Sequence, residues 1–226
     1  NFGATPGLGP EHFTSSVCSH DHAAEAADRF LKCVEKLRRG EQQTFVIGTG
    51  HGMCTCEGAA FEYVLNVEFE LRRLGVRDRA RIVFLTNEAE LGDFGVGGLH
   101  WRAGGYIMFS KLFAESLFVE RNIEWISGAH VHKVEPGRIH YETLDGTTGE
   151  QPFDFAMLIP PFRGHDLKAY DRKGADITAS LFAPSGFMKV DADYTPKDPA
   201  DWRASDWPDT YQSPVLPNVF AIGIAF

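Results

Sequence analysis

Residues 44 to 86, TFVIGTGHGMCTCEGAAFEYVLNVEFELRRLGVRDRARIVFLT, constrain the fold more than any other stretch of the chain. Thr44 to Ile47 is a short apolar run with strand character, and a loop rich in glycine and cysteine follows it. From Gly58 to Leu74 the residues Ala60, Tyr63, Val64, Val67, Leu71 and Leu74 recur on one side of a helix. Arg81 to Thr86 (RIVFLT) is a second buried-looking strand. Strand, glycine loop, helix, strand is the βαβ unit of a nucleotide-binding fold, which predicts an α/β protein with a parallel sheet.

The flanking segments fit that class. Residues 1 to 12 are rich in Gly and Pro and read as a connector. Residues 23 to 39 carry Ala23, Ala26, Ala27, Phe30, Val34 and Leu37 on one helical face, with Gly40 as the stop. A third helix is expected over 106 to 121, after the loop GDFGVGGLHWRAGG. Residues 123 to 143 hold two alternating segments around Pro136 and Gly137 and read as a β-hairpin. An apolar strand at 153 to 159 runs into Pro160 and Pro161, and the irregular stretch 164 to 217 precedes a closing strand, NVFAIG. There is no internal repeat and no low-complexity tract.

A formal charge of −9 and no stripe of Lys and Arg argue against a protein that tracks phosphates along nucleic acid. No run approaches the 18 or so apolar residues that span a bilayer. Four cysteines in 226 residues are too few for a disulfide scaffold, and Cys18, Cys33, Cys54 and Cys56 all fall in the first quarter, which suggests chemistry more than stapling. The chain opens on Asn1 and stops inside the apolar run around Phe220, so a piece of a longer protein is expected.

The loop GTGHGMCTCEG, residues 48 to 58, admits several readings. A dinucleotide site wants GxGxxG at the strand-to-helix turn and an acid ending the next strand. Gly48, Gly50 and Gly52 supply the start and Glu88 a slightly late acid, but the helix begins too late to receive a pyrophosphate in the usual way. A metal site would join Cys54 and Cys56 to His51, or to Cys18, His20 and His22. A redox reading starts from Cys56, just before the helix, where backbone N–H groups and the helix dipole lower a thiol pKa. The plain alternative makes Cys54 and Cys56 small apolar fillers beside the glycines.

Three further stretches, SSVCSHDHA at 15 to 23, CEGAAFEY at 56 to 63 and LIPPFRG at 158 to 164, resemble the sulfide:quinone oxidoreductase family of two-dinucleotide-domain flavoproteins. YQSPVLPNVFAIGIAF at 211 to 226 looks like that family's return strand beside the flavin. The resemblance implies a Rossmann-like, three-layer second domain with a β-hairpin, flanked by pieces of an FAD domain. Its divisions would be 1–40, a connector and helix leaving the FAD domain; 41–158, the second domain; and 159–226, an incomplete return segment.

By the same resemblance Cys56 matches the redox cysteine, with its partner beyond Phe226. Cys18 matches the cysteine near the flavin, and His22 and Glu62 match groups that handle protons. Pro160, Gly223 and Ile224 fall in the flavin-facing segments. Asp93 stands where several members have a histidine; Cys54 has no counterpart, and Cys33 reads as core. The implied cofactor is FAD and the partners are sulfide and a membrane quinone. Sulfide attacks an oxidised sulfur bridge that includes Cys56, and two electrons pass through FAD to the quinone. The parent would sit peripherally on the cytoplasmic membrane through segments absent here, with a homo-oligomer allowed, while this piece alone would be soluble and inactive. The rivals are an NAD(P)H:quinone-type flavoenzyme and a non-catalytic Cys/His metal-binding module.

Overall fold

The computed structural model describes residues 13–50, 56–162, 164–201 and 203–222. The described residues fall into two compact units, one up to Pro161 and the other from Phe162 onward.

The first unit is a three-layer α/β domain. Its middle layer is a parallel sheet in the order β5-β2-β1-β9, made of β1 (Gln43–Thr49), β2 (Ala80–Thr86), β5 (Ile123–Ile126) and β9 (Phe155–Leu158). β1 and β2 run in register from Gln43↔Ala80 to Thr49↔Thr86. Strands buried on both sides read as unbroken apolar runs, and VFL and FVI here do so because the alternating side chains serve two different layers. Phe45 and Phe84 point to one face. Phe45 meets Phe30 at 5.9 Å and Phe155 at 5.8 Å, and Phe84 meets Phe118 at 5.4 Å. This is the face covered by α1 (His20–Arg38), α2 (Glu57–Arg73) and α3 (Ser110–Glu120). Val46, Val83, Leu85, Ala156 and Leu158 point the other way, onto Ala129, Val131, Val134 and Ile139. Those belong to an antiparallel sheet of β6 (Ala129–Glu135), β7 (Arg138–Thr143) and β8 (Thr148–Pro152). Phe45, Phe84, Phe118 and Phe155 are all fully buried, each contributing about 1.5–3 kcal/mol.

Local sequence sets the ends of the helices. Ser19 caps α1, its hydroxyl accepting from the His22 N–H at 3.3 Å, and Gly40 ends it in a left-handed conformation at φ 91°.

Two expectations for the first unit need correction. Residues 106 to 109 are not helical: β4 (Tyr106–Phe109) pairs antiparallel with β3 (His100–Ala103), and the helix begins only at Ser110. The turn between them is Gly104 and Gly105, both at positive φ, a two-residue hairpin loop that only glycine adopts freely. Residues 123 to 126 are not the first arm of the hairpin either. They join the parallel sheet beside β2, and the hairpin is β6 and β7, with β8 as a third strand.

The described residues of the second unit have little regular structure. They hold a single-turn helix α4 (Thr178–Leu181), two short 3-10 turns and isolated bridges such as Gln212↔Phe220. The closing strand expected at NVFAIG is reduced to that bridge among the described residues.

Candidate functional site

The carboxyl ends of β1 and β2 are where open parallel sheets place their ligand sites, and the predicted residues of the first unit are distributed around that edge. Cys56 is the residue before α2. It sits in the left-handed region at φ 72° and ψ 38° and makes no side-chain cap. Such a backbone is strained for any residue but glycine, by about 1–2 kcal/mol. Phe94, in the loop facing it, is also left-handed at φ 55° and packs edge-on against Phe61 at 5.4 Å.

Cys18 arrives from the other side. The backbone of Ser15 pairs with β9 at Met157, its N–H donating to the Ala156 carbonyl at 2.6 Å. Cys18 and Pro160 each lie three residues beyond that pairing, at the same end of the sheet. Cys18 is half-buried, and its charge is one of those felt at Cys56. His22 is half-buried in the first turn of α1. Glu62 is exposed, because α2 turns Ala60, Val64, Val67 and Leu71 inward. Cys33 is buried in the core, and burial pushes its thiol up to about 11. His51, Gly52, Cys54, Gly223 and Ile224 lie outside the described residues.

Two other acids beside this edge are buried. Glu57, the first residue of α2, is 8% exposed, and its carboxylate lies where a Cβ on Gly95 would come within 3.2 Å. Glu88 follows β2 and is 6% exposed. Its Oε1 accepts from the Phe94 N–H at 2.6 Å, and its Oε2 lies 2.8 Å from Thr86 Oγ1. Thr86 Oγ1 is 3.0 Å from Thr49 Oγ1, which donates to Asn87 Oδ1 at 2.7 Å. Glu57 was legible as an anomaly, an acid on the inner stripe 57, 60, 64, 71 of an otherwise amphipathic helix.

Burial and Glu57 reverse the expected tuning of Cys56. Burial, then the carboxylate of Glu57, then Cys18 push the thiol above its usual value, where the bare start of a helix would lower it. The anion at the first helical position takes up the dipole that would otherwise stabilise a thiolate. Glu57→Gln is therefore expected to lower the Cys56 pKa and to speed its alkylation at neutral pH by about threefold to tenfold. Site-resolved mass spectrometry after iodoacetamide pulses measures this, with Cys33 as the unreactive control. An unchanged rate would mean that Glu57 does not govern the thiol.

The glycines of the loop are taken up by the protein itself. A Cβ on Gly48 would fall 1.7 Å from the Leu85 carbonyl oxygen, and one on Gly50 would meet Val131 and Leu158 side chains at 2.8 and 2.9 Å. The Gly50 carbonyl also accepts from the Val131 N–H. Close approach of strand and hairpin accounts for both residues, and Glu88, buried with both oxygens engaged, does not face a ribose. Among the described residues no group of three or more His, Cys, Asp or Glu converges as metal ligands, and no helix is long and apolar enough to cross a membrane.

No family model matches the chain. The sulfide-quinone reductase of Aquifex aeolicus strain VF5 is 36% identical over 161 residues, which cover 71% of this chain and 34% of that protein. The crystal structure of the sulfide:quinone oxidoreductase from the hyperthermophilic bacterium Aquifex aeolicus superposes on all of this chain and 44% of its own, with 28% identity and a TM-score of 0.69. The chain thus spans less than half the length of these relatives.

Proposed function

Because the chain belongs to the sulfide-quinone reductase family, we propose that its parent is a flavoprotein that oxidises sulfide through a cysteine relay at Cys56 and delivers the electrons to a membrane quinone. The observation that carries this reading is the placement of Cys56: a strained, half-buried thiol at the carboxyl edge of a parallel sheet, with Cys18 in electrostatic reach and Gly48 and Gly50 packed against protein.

The cofactor implied is FAD, and the residues present fit it. Cys18 and Pro160 share the sheet edge at which a flavin would lie, and Cys18 keeps part of its surface open. FAD, when bound, supplies a two-electron acceptor between sulfide and quinone. The work of this chain is on the sulfur side. Hydrosulfide attacks a disulfide that includes Cys56; an S–S bond forms, the old one breaks, and one cysteine is left as a persulfide and the other as a thiolate. Burial and Glu57 raise the Cys56 pKa and favour a proton on that sulfur when it is released, and His22, four residues after Cys18 at the start of α1, is the candidate on that side to take the proton of the incoming hydrogen sulfide. Residues 1–40, 41–158 and 159–226 are then the exit from the FAD domain, the second domain and the return segment, with peripheral membrane contact made elsewhere in the parent.

A pyridine-nucleotide route is disfavoured by the packing of Gly48 and Gly50 and the burial of Glu88. Under anaerobic conditions, purified full-length protein is expected to lose its flavin absorbance on addition of sulfide and to keep it with NADH or NADPH. Bleaching by a nicotinamide but not by sulfide would replace this reading with that of an NAD(P)H:quinone enzyme.

A further inference from the structure

The buried chain of oxygens at the end of the sheet has one contact too many for its hydrogens. Asn87 Oδ1 only accepts, so the Thr49 hydroxyl spends its hydrogen there, at 2.7 Å. The 3.0 Å contact between Thr49 and Thr86 then needs the hydrogen of Thr86. Nothing is left on either hydroxyl for the 2.8 Å contact between Thr86 and Glu88 Oε2. Thr49 and Thr86 are both fully buried and Glu88 nearly so. A proton on Oε2 of Glu88 completes the set. Glu88 then donates to Thr86, Thr86 to Thr49 and Thr49 to Asn87, while Oε1 still accepts from the Phe94 N–H. Thr86 Oγ1 also receives the Glu88 N–H at 3.2 Å, which fills its two acceptor positions.

We propose that Glu88 is a neutral carboxylic acid in the folded protein and sets the charge behind the Cys56 site, because Phe94, whose N–H it holds, precedes Gly95, and Gly95 packs on the carboxylate of Glu57 next to Cys56. The groups that face it agree with this. Burial comes first, and Glu57 from α2 and Asp93 from its own loop are both acids; together they hold its carboxyl above the usual range, whereas the Phe94 N–H, and Thr86 when its hydroxyl is turned to an ionised Glu88, pull the other way. Glu57 is also the acid that acts on Cys56, so it lies in electrostatic reach of both the thiol and the Glu88 carboxyl. Ionisation of Glu88 would add a further anion to this corner and disfavour a thiolate on Cys56. The assignment to the Cys56 site rests on the relay proposed above; the protonation itself does not.

Two readouts on the full-length protein test it, and neither involves sulfide. The infrared spectrum at neutral pH is expected to contain a protonated-carboxyl stretch that shifts in deuterium oxide and is lost in Glu88→Gln. The pH profile of Cys56 alkylation is expected to differ as well, Glu88→Gln reacting about twofold to fivefold faster on the alkaline side, where the parent carries the extra anion. Cys33 must stay unreactive in both, which reports that the variant is folded, and Glu88→Asp serves as a second variant that keeps the acid. Absence of the infrared band overturns the neutral acid, and a band with superimposable Cys56 profiles overturns its role at the site. Loss of sulfide bleaching alone would strike the proposed function and leave both results standing.

Discussion

Replacing Cys56 by serine in the full-length protein is expected to abolish flavin bleaching by sulfide, by roughly 10³-fold or more, as when an enzyme that works through a covalent step loses its nucleophile. Serine keeps the shape of the side chain but forms no bridge to sulfur. The companion variant Cys56→Gly separates chemistry from packing. It is expected to be equally inactive yet no less stable, and up to about 1 kcal/mol more stable, because φ 72° is strained for cysteine and free for glycine. Were Cys56 only a filler beside the glycines, removing its half-buried side chain would cost stability. Denaturant midpoints of the two variants beside the parent decide between a strained functional thiol and a packing residue.

The largest expected loss of stability lies away from this site, at Glu68. It is 3% exposed on the inner side of α2, and its carboxylate meets Arg72 at 2.5 Å, Arg77 at 3.6 Å and Arg121 at 4.0 Å. Arg77 in turn donates to the carbonyls of Ala80, Arg121 and Asn122, joining the turn after α2 to the end of α3 and the start of β2 and β5. Removing Glu68 leaves the guanidinium of Arg77, only 15% exposed, between two other arginines with no anion. Glu68→Ala is expected to cost about 3–5 kcal/mol, the range for breaking a buried ion pair from one side. The pair of Arg81 and Glu124 has better geometry, two bonds of 2.9 and 2.7 Å, but about half of each side chain is in water. Glu124→Ala is expected to cost less than about 1 kcal/mol. Chemical unfolding of both variants measures the contrast; equal losses would show that burial does not set the worth of the Glu68 cluster.

Much of this fold follows from local pattern. Phe45, Val46 and Ile47, then the inner stripe of α2, then Ile82 to Leu85 carry the βαβ unit, because a parallel strand must be apolar on both faces and a covering helix on one. The stretch YIMFSKLF carries no such instruction. Its apolar density suits a strand or a helix equally, and pairing to His100–Ala103 decided for strand over its first half. Gly104 and Gly105 were the available signal. Ile123 to Ile126 likewise joins β2 rather than β6, since Gly128 at φ 63° turns the chain between them.

At the candidate site the sequence by itself offered the candidates: Cys56 before a helix after a glycine loop, Cys18 ahead of α1, His22 at the start of that helix and Glu62 on α2. It also carried the family resemblance. Tertiary structure alone decided how these groups behave. Burial and the neighbouring Glu57 turn the expected activation of Cys56 by its helix into a raised pKa, and Glu62 lies in water while Glu57 and Glu88 do not. The reason is physical: spacing along a chain fixes which face of a helix or strand a residue occupies, whereas a pKa depends on the solvent and charges that other segments bring to it or take away.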